Sequence, residues 1–586
     1  MSHPRPPHGA AAAPLTAHWW HDAVVLQIYV RSFGDANGDG IGDLAGIRAR
    51  LDHVADLGVD AIWLNPCYPS PQRDHGYDVA NYTDIEPDYG DLATFDQLVT
   101  DAAARGIRVL MDMVPNHCSS QHPWFQAALA AEPGSPERAR FYFRDGRGPD
   151  GAEPPNNWHS EFAGSAWTRV PDGQWYLATF TPDQPDFDHT NPEVATLFED
   201  ALRFWFDRGV EGFRVDVVTA VGKAPELPDA PPLPEGTPET GRALLNPYTA
   251  FRPEGHEVWR RWRRLLDEYS ATHPGRDLMM VAEAYAPRRP DLHLEYVRPD
   301  EFHQSFAFDL LLSPWHPSPM RQAIGDQLLL LREHRVVPTW ALNNHDAQRV
   351  VTRLGRADAD DPTLLPVSPL HGSTAPVDVA VGTRRARALI AFVLGLPGSA
   401  YLYQGEELGL PEVLDLPDEA RQDPVFLRSG GTTIGRDGCR VPLPWTAELA
   451  GAHGFSTTPA DRSTPAAPWL PQPEGWGAWA ADRQREDPDS TLAAYRRFLA
   501  ARRLHAAPQG LHGELADLDP ALVAVRRGDL LLVLNPTGEP VPLELDGRTA
   551  TVVLSSDGPT AAQPVADHPT VPPDTCWWLL LDRTPT

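Results

Sequence analysis

Eight short apolar runs separated by helical patterns constrain this chain more than any other feature. VVLQIYV (24–30), DAIWLN (60–65) and GIRVLMDMV (106–114) have the length and β-branched content of buried strands. Runs at 210–216, 278–283, 303–309, 336–342 and 397–403 continue the series. Between the first two, Leu44, Ile47, Leu51, Val54 and Leu57 keep a helical period that Gly58 stops. Further helices are expected near 92–105 and 193–208. Strands alternating with helices build a parallel sheet, and eight of them predict a (β/α)8 TIM barrel with insertions.

The alternation breaks three times. Residues 118–187 are rich in Pro, Gly, Trp and Asn and read as a small inserted domain after the third strand. Pro-rich excursions follow the fourth strand (225–256) and the eighth (411–475). From 506 onward, strands and turns such as ALVAVRRG, DLLLVLNPTG and TCWWLLL predict a C-terminal antiparallel β-sandwich. The expected division is a disordered tail over 1–18, a barrel over 19–117 and 188–505, the insertion over 118–187, and the β domain over 506–586.

Composition narrows the function. With 50 basic against 80 acidic residues, the formal charge of −30 leaves no basic face for nucleic acid and disfavours anionic membranes. No apolar run of about 20 residues occurs, so no membrane span is expected. The first 18 residues lack a signal peptide's apolar core, and a cytoplasmic location is the expectation. Cys67, Cys118, Cys439 and Cys576 lie far apart, which argues against a disulfide framework and against zinc.

In such a barrel, chemistry gathers at the C-terminal ends of the strands. The third strand ends in DMVPNH, with Asp112, Asn116 and His117; the fourth in GFRVDVV, with Arg214 and Asp216. The fifth ends in MMVAEAY, with Glu283, and the seventh in ALNNHD, with His345 and Asp346. A single Asp there is more often a cap or turn residue. Three carboxylates on three strand ends are costly to gather without a role. They suit glycoside hydrolysis, in which one carboxylate attacks the anomeric carbon and a protonated one feeds the leaving oxygen. Arg214 shares a strand face with Asp216 and should keep it ionised as nucleophile. Glu283 has no cation beside it in sequence, and crowding by other acids should keep it protonated.

DMVPNH, GFRVDVV, VAEAY and NNHD resemble the four signature regions of glycoside hydrolase family 13, the α-amylase family. QPDF (184–187) and GLPGSAYLYQGEELG (395–409) are similar to two accessory signatures. The resemblance implies domain B after the third strand, Asp216 as nucleophile, Glu283 as general acid/base and Asp346 as the acid holding sugar hydroxyls. It implies that His117 and His345 contact the same glucose, that Arg214 orients Asp216, and that the α configuration is retained through a β-glucosyl enzyme. GYDVANY (76–82), which ends in Tyr82, and RVPLPW (440–445) are similar to the oligo-1,6-glucosidase and α-glucosidase branch. There the resemblance implies that Asp78 and Arg440 pair to close the −1 pocket beyond the non-reducing glucose, making the enzyme exo-acting on short α-glucosides. The chain departs from the branch at Asp188, where QPDLN has Asn, and at Ala284.

DANGDGIGD (35–43) begins like an EF-hand loop, but its twelfth position is Gly46 rather than Glu. The branch carries a calcium site in this first βα loop. The resemblance implies Asp35, Asn37, Asp39, Asp43 and the carbonyl of Ile41 as ligands of a structural Ca2+, with Mg2+ as the alternative; a solvated Asp/Asn/Gly turn is the bland reading.

Most of the 18 Trp read as core. Phe180 and Phe187 flank QPDF and are pocket candidates. Val217 resembles the Val that accompanies α-1,6 activity in this branch, so specificity tolerant of α-1,6 bonds is expected. The runner-up is a transglucosidase or isomerase of the trehalose synthase or isomaltulose synthase type; a remote third is a non-catalytic family relative. The expected partner is a small α-glucoside such as maltose or isomaltose, with a homo-oligomer left open.

Overall fold

The structure, a computed structural model, describes residues 18–361, 375–458, 464–545, 547–558, 562–565 and 568–582. The tail expected over 1–18 lies outside the described residues except for His18.

The barrel opens with β1 (Val24–Ile28), β2 (Ala61–Leu64) and β3 (Arg108–Met113). The insertion after β3 carries the helix Pro123–Ala130, which its composition did not announce, and β4 (Phe143–Asp145), β5 (Trp167–Arg169) and β6 (Gln174–Leu177). These pair antiparallel in the order β4–β6–β5. The barrel resumes with β7 (Gly212–Val215), β8 (Met279–Ala282), β9 (Gln304–Ser305), β10 (Thr339–Ala341) and β11 (Ser399–Tyr403). All eight strands pair in parallel, in the order β10–β11–β1–β2–β3–β7–β8–β9, and a parallel bridge from Ala307 to Trp340 brings β9 against β10. The (β/α)8 expectation is borne out.

Period-two alternation divides each strand between two cores. Val25, Ala61, Trp63, Leu110, Met279, Val281, Ala341 and Tyr401 fill the barrel. Val24, Leu26, Ile62, Leu64, Val109, Met111 and Phe213 belong to the larger cluster that includes the helices. The helix Pro192–Asp207 buries Val194, Phe198, Ala201, Leu202 and Trp205, and Asn191 caps it by accepting from Glu193 N. The helix expected over 44–58 is two pieces, Leu44–Arg48 and Leu51–Leu57; Arg50 lies at the break and donates back to the Gly46 carbonyl.

The C-terminal strands are β12 (Glu514–Leu515), β13 (Val523–Arg527), β14 (Leu530–Asn535), β15 (Val541–Pro542), β16 (Ala550–Ser555), β17 (Gln563–Pro564), β18 (Thr570–Val571) and β19 (Thr575–Leu581). Six form an antiparallel sheet, β12–β13–β14–β19–β16–β17, and β15 with β18 forms a ribbon. Leu531, Val533 and Leu579 of the sheet share a buried cluster with Val541 and Val571 of the ribbon. On the barrel side Trp578 donates to the Ala391 carbonyl, and a Cβ on Gly395 would meet Leu532 at 2.5 Å, so the sheet lies directly on the helix Val379–Gly395.

Candidate active site

Strand register brings the acids together. Asp112 on β3 is paired with Arg214 on β7, and Arg214 with Val281 on β8. Just past these pairs, Asp216 N donates to Met113 O and Glu283 N to Val215 O, continuing the sheet to the rim. One buried guanidinium then serves three acids. Arg214 Nη1 lies 2.8 Å from Asp112 and 2.7 Å from Asp216, and Nη2 lies 2.6 Å from Glu283.

This differs from the sequence expectation in two ways. Glu283 does have a cation, supplied from the adjacent strand β7. Arg214 is also not reserved for Asp216, so its charge is divided. Burial raises Asp112 to about 7 in spite of Arg214, and burial with the nearby Glu283 and Asp112 raises Asp216 well above the ordinary carboxylate range. Asp112 and Asp216 share the one guanidinium, so their titration belongs to the pair rather than to either residue. The side chain of Asp112 is 0% exposed, against 7% for Asp216, 16% for Glu283 and 23% for Asp346. Asp112 therefore supports from below while the other three face the opening.

Asp346 sits beside two guanidiniums and an imidazole. Arg440 Nη2 lies at 2.7 Å, Arg436 Nη1 at 3.1 Å and His345 Nε2 at 3.4 Å. Burial works against its ionisation, but His345, Arg436 and Arg440 hold the carboxyl below its usual range. His345 stacks on Tyr77, with centroids 5.3 Å apart and planes 2° apart. Its Nδ1 takes a hydrogen bond from Gln27 Nε2 (2.7 Å), and its Nε2 lies 2.6 Å from Tyr77 Oη. Burial keeps this ring neutral.

The expected Asp78–Arg440 pair is corrected. Asp78 accepts from Ser70 Oγ, Arg73 N and Asp74 N, which closes its own loop. Arg440 instead meets Asp346 and the His345 carbonyl. The ion pair joining these two segments is Asp74 with Arg436, at 2.9 Å, and Arg436 is held from behind by Asp423 at 2.8 Å. Tyr82 is corrected too: it is buried and donates to the Val114 and His117 carbonyls, so it supports the β3 loop. Tyr77, five residues earlier, is the tyrosine in the site.

His117 lies beside Phe180 (centroids 4.9 Å) and is kept neutral by burial, its pKa lowered to about 4. Phe180, Phe162 and Val425 form a small apolar cluster that Val217 joins. Phe187 is buried among Phe141, His122 and Phe198 and is core. Asp74, Tyr77 and Arg436 were missed although each lies within four residues of a chosen motif residue. The signal was available as a second charged residue in each segment, RDHGYD and GRDGCR.

The 35–43 loop is rich in oxygen donors, and its acids are engaged locally. Asp35 accepts from Gly38 N and Gly40 N; Asp43 accepts from Ala36 N, Asn37 N and Gly46 N. Asp39 accepts from Asn37 Nδ2 and Ile41 N. Among the described residues no three acids, histidines or cysteines converge as a metal cluster. The donor set still fits a hard cation through mixed Asp, Asn and carbonyl oxygens, because Asp35 and Asp43 are buried near each other and burial raises Asp43.

The α-amylase catalytic-domain family model matches residues 27–509. A probable α-glucosidase of Rhizobium meliloti is 38% identical over 536 residues, covering 89% of this chain and 87% of the relative. An oligo-1,6-glucosidase of Parageobacillus thermoglucosidasius is 32% identical over 564 residues, covering 90% and 91%. Among solved structures, the trehalulose synthase MutB of Pseudomonas mesoacidophila MX-45 superposes with a TM-score of 0.79 at 29% identity, covering 97% of this chain and all of that one. Among the described residues no helix is long and apolar enough to cross a membrane.

Proposed function

The chain belongs to the α-amylase family, glycoside hydrolase family 13, and within its α-glucosidase branch we propose a retaining, exo-acting α-glucosidase that cleaves terminal α-1,4 and α-1,6 bonds of short gluco-oligosaccharides. The observation that carries this reading is the single Arg214 guanidinium joining Asp112, Asp216 and Glu283 opposite Asp346, with Asp74–Arg436 closing the far side. Asp216 attacks the anomeric carbon while Glu283 gives its proton to the leaving oxygen. Glu283 then takes a proton from the water that attacks the anomeric carbon and breaks its bond to Asp216, which releases glucose with its α configuration retained. As Asp216 and Glu283 change charge in turn, Arg214 stays bonded to both and needs no reorganisation. Asp346, held ionised by Arg436 and Arg440, accepts hydrogen bonds from sugar hydroxyls. His117 and His345, both neutral, contact the same sugar.

The similarity to MutB, a trehalulose synthase, supports transglucosylation as the second reading. The outcome turns on whether water reaches the aglycone side. Domain B is tied to the two Pro-rich segments: Arg428 donates to the Phe162 and Ala163 carbonyls, and Leu244 N donates to Glu161. A product time course with maltose, isomaltose, sucrose and trehalose, read by NMR, separates the readings. Initial release of α-glucose is the expected result. New disaccharides with little glucose assign the chain to transfer, and inversion to β-glucose overturns the mechanism.

We also propose the 35–43 loop as a structural Ca2+ site, where the ion would join two buried carboxylates and supply no chemistry to the reaction.

A further inference from the structure

Two buried polar networks lie beneath the rim. In one, Lys223, the chain's only lysine, donates to Asn116 Oδ1 at 2.9 Å and lies 2.9 Å from Asp186 Oδ2, which ties the two ends of the insertion together. The other lies under His345 and closes on itself. It is built from Gln27 on β1, Asn65 just past β2, Tyr77, Asp112 on β3 and His345, all buried. One end of the Gln27 amide meets both Asn65 (2.8 Å) and His345 Nδ1 (2.7 Å). The far end of the Asn65 amide meets Tyr77 Oη at 2.9 Å. That same oxygen lies 2.6 Å from His345 Nε2 and 3.1 Å from Asp112 Oδ2.

These five contacts restrict where the protons can go. Gln27 and Asn65 face each other, so one presents NH2 and the other oxygen, which leaves two settings of the pair. In the first, Gln27 presents NH2 and donates to Asn65 Oδ1 and to Nδ1, so a neutral ring carries its proton on Nε2. Asn65 NH2 and Nε2–H then both donate to Tyr77 Oη, which gives its own proton to Asp112. Every contact holds one proton. In the second, Gln27 presents oxygen and takes Nδ1–H. Asn65 Oδ1 and the bare Nε2 then both face Tyr77 Oη, which has one proton for the two, and two lone pairs are left facing each other in a buried site. The second setting closes only if the ring is charged and Asp112 is protonated as well, and burial holds the ring neutral. The surroundings agree with the first. Asp112 Oδ2 also accepts from Trp63 Nε1 at 3.2 Å, and Nε2 lies 3.4 Å from Asp346 Oδ2, an acceptor that favours a proton on that nitrogen.

We propose that Gln27 and Asn65 are positioning residues: together they set His345 as the Nε2–H tautomer, which turns a donor toward Asp346, and they commit the Tyr77 hydroxyl proton to Asp112, so that Asp112 meets Arg214 as a carboxylate. The placement of the protons stands on the contacts alone; its bearing on sugar binding, through Asp346, rests on the glucosidase reading.

The tautomer is read without turnover, in a long-range 1H–15N spectrum of 15N-histidine-labelled protein, with His345 assigned by its loss in His345→Asn. Wild type is expected to show an Nε2–H ring with a bare Nδ1, and an Nδ1–H ring overturns the proposal. Neutron diffraction from perdeuterated wild-type crystals reads the hydroxyl: deuterium on Tyr77 Oη pointing to Asp112 is expected, and deuterium pointing to His345 or Asn65 overturns the assignment. Both measurements stand whether or not a variant folds. Gln27→Glu keeps the side chain's shape and puts a carboxylate oxygen against Nδ1, so Nδ1 is expected to gain a proton; a bare Nδ1 in this variant overturns the part given to Gln27. On maltose, Gln27→Glu is expected to lower kcat/KM about tenfold and to add little in a His345→Ala background. Additive losses overturn the link to sugar binding. An inactive wild type with the expected tautomer would sink the glucosidase reading alone.

Discussion

The backbone N–H of Val217 donates to Glu283 Oε2 at 3.1 Å, from a residue held at φ 43°. A β-branched side chain is costly in this left-handed region, and the strain lies beside the residues that face the opening. The bond depends on backbone alone, so a side-chain change leaves it in place. Val217→Thr is expected to keep kcat on an aryl α-glucoside within about twofold while lowering the isomaltose-to-maltose ratio of kcat/KM by about tenfold. An unchanged ratio removes Val217 as a linkage determinant.

Asp216→Asn is expected to lower kcat by roughly 10⁴-fold on every substrate. Glu283→Gln should cost far less with α-glucosyl fluoride, whose leaving group needs no proton, than with maltose. Equal losses on both would reassign the general acid.

Asp74 and Arg436 form a buried pair, and removing one partner strands the other. Asp74→Asn or Arg436→Met is expected to cost about 3–5 kcal/mol in denaturant unfolding, and the double variant less than the sum. Either single change should also lower kcat/KM on maltose. Strict additivity of the two stability losses would show that the contact carries no coupling.

Glu161 is buried where domain B meets the 225–256 segment, accepting from Leu244 N, and burial raises its pKa to about 7. A raised folded pKa means the native state binds more protons, so this group's contribution is present at pH 4.5 and lost as pH rises toward 7. Glu161→Gln mimics the protonated form. Its stability relative to wild type should therefore grow by about 3 kcal/mol between pH 4.5 and 7. A difference that stays flat, read by urea unfolding at each pH, contradicts the buried-acid account.

For the 35–43 loop, Ca2+ is expected to raise Tm by a few degrees and a chelator to reverse it, with KM unchanged. No shift up to millimolar Ca2+ leaves the loop closed by its backbone amides alone.

The barrel was legible because its information is local: each strand is a short apolar run, and each rim acid ends one. The acids Asp216, Glu283 and Asp346 were legible for the same reason, as polar breaks in apolar patterns. What escaped depends on contacts between distant segments. Asp74 and Arg436 are 362 positions apart and meet only when two long loops pack over the same opening. Asp78 was implied by the branch resemblance, but its carboxylate is spent on the amides of Arg73 and Asp74. The division of Arg214 among three acids follows from register between β3, β7 and β8, which no single segment carries. Tyr82 ends the same motif that holds Tyr77, and its burial under the β3 loop is invisible in a linear pattern.

The single buried lysine has a practical consequence. Every side-chain cation this protein shows to solvent, histidine aside, is a guanidinium, so reagents that acylate amines find no lysine on its surface. A lysine added at an exposed position away from the barrel's C-terminal rim would be the only lysine side chain at the surface, an attachment point for a dye, a support or a cross-linker.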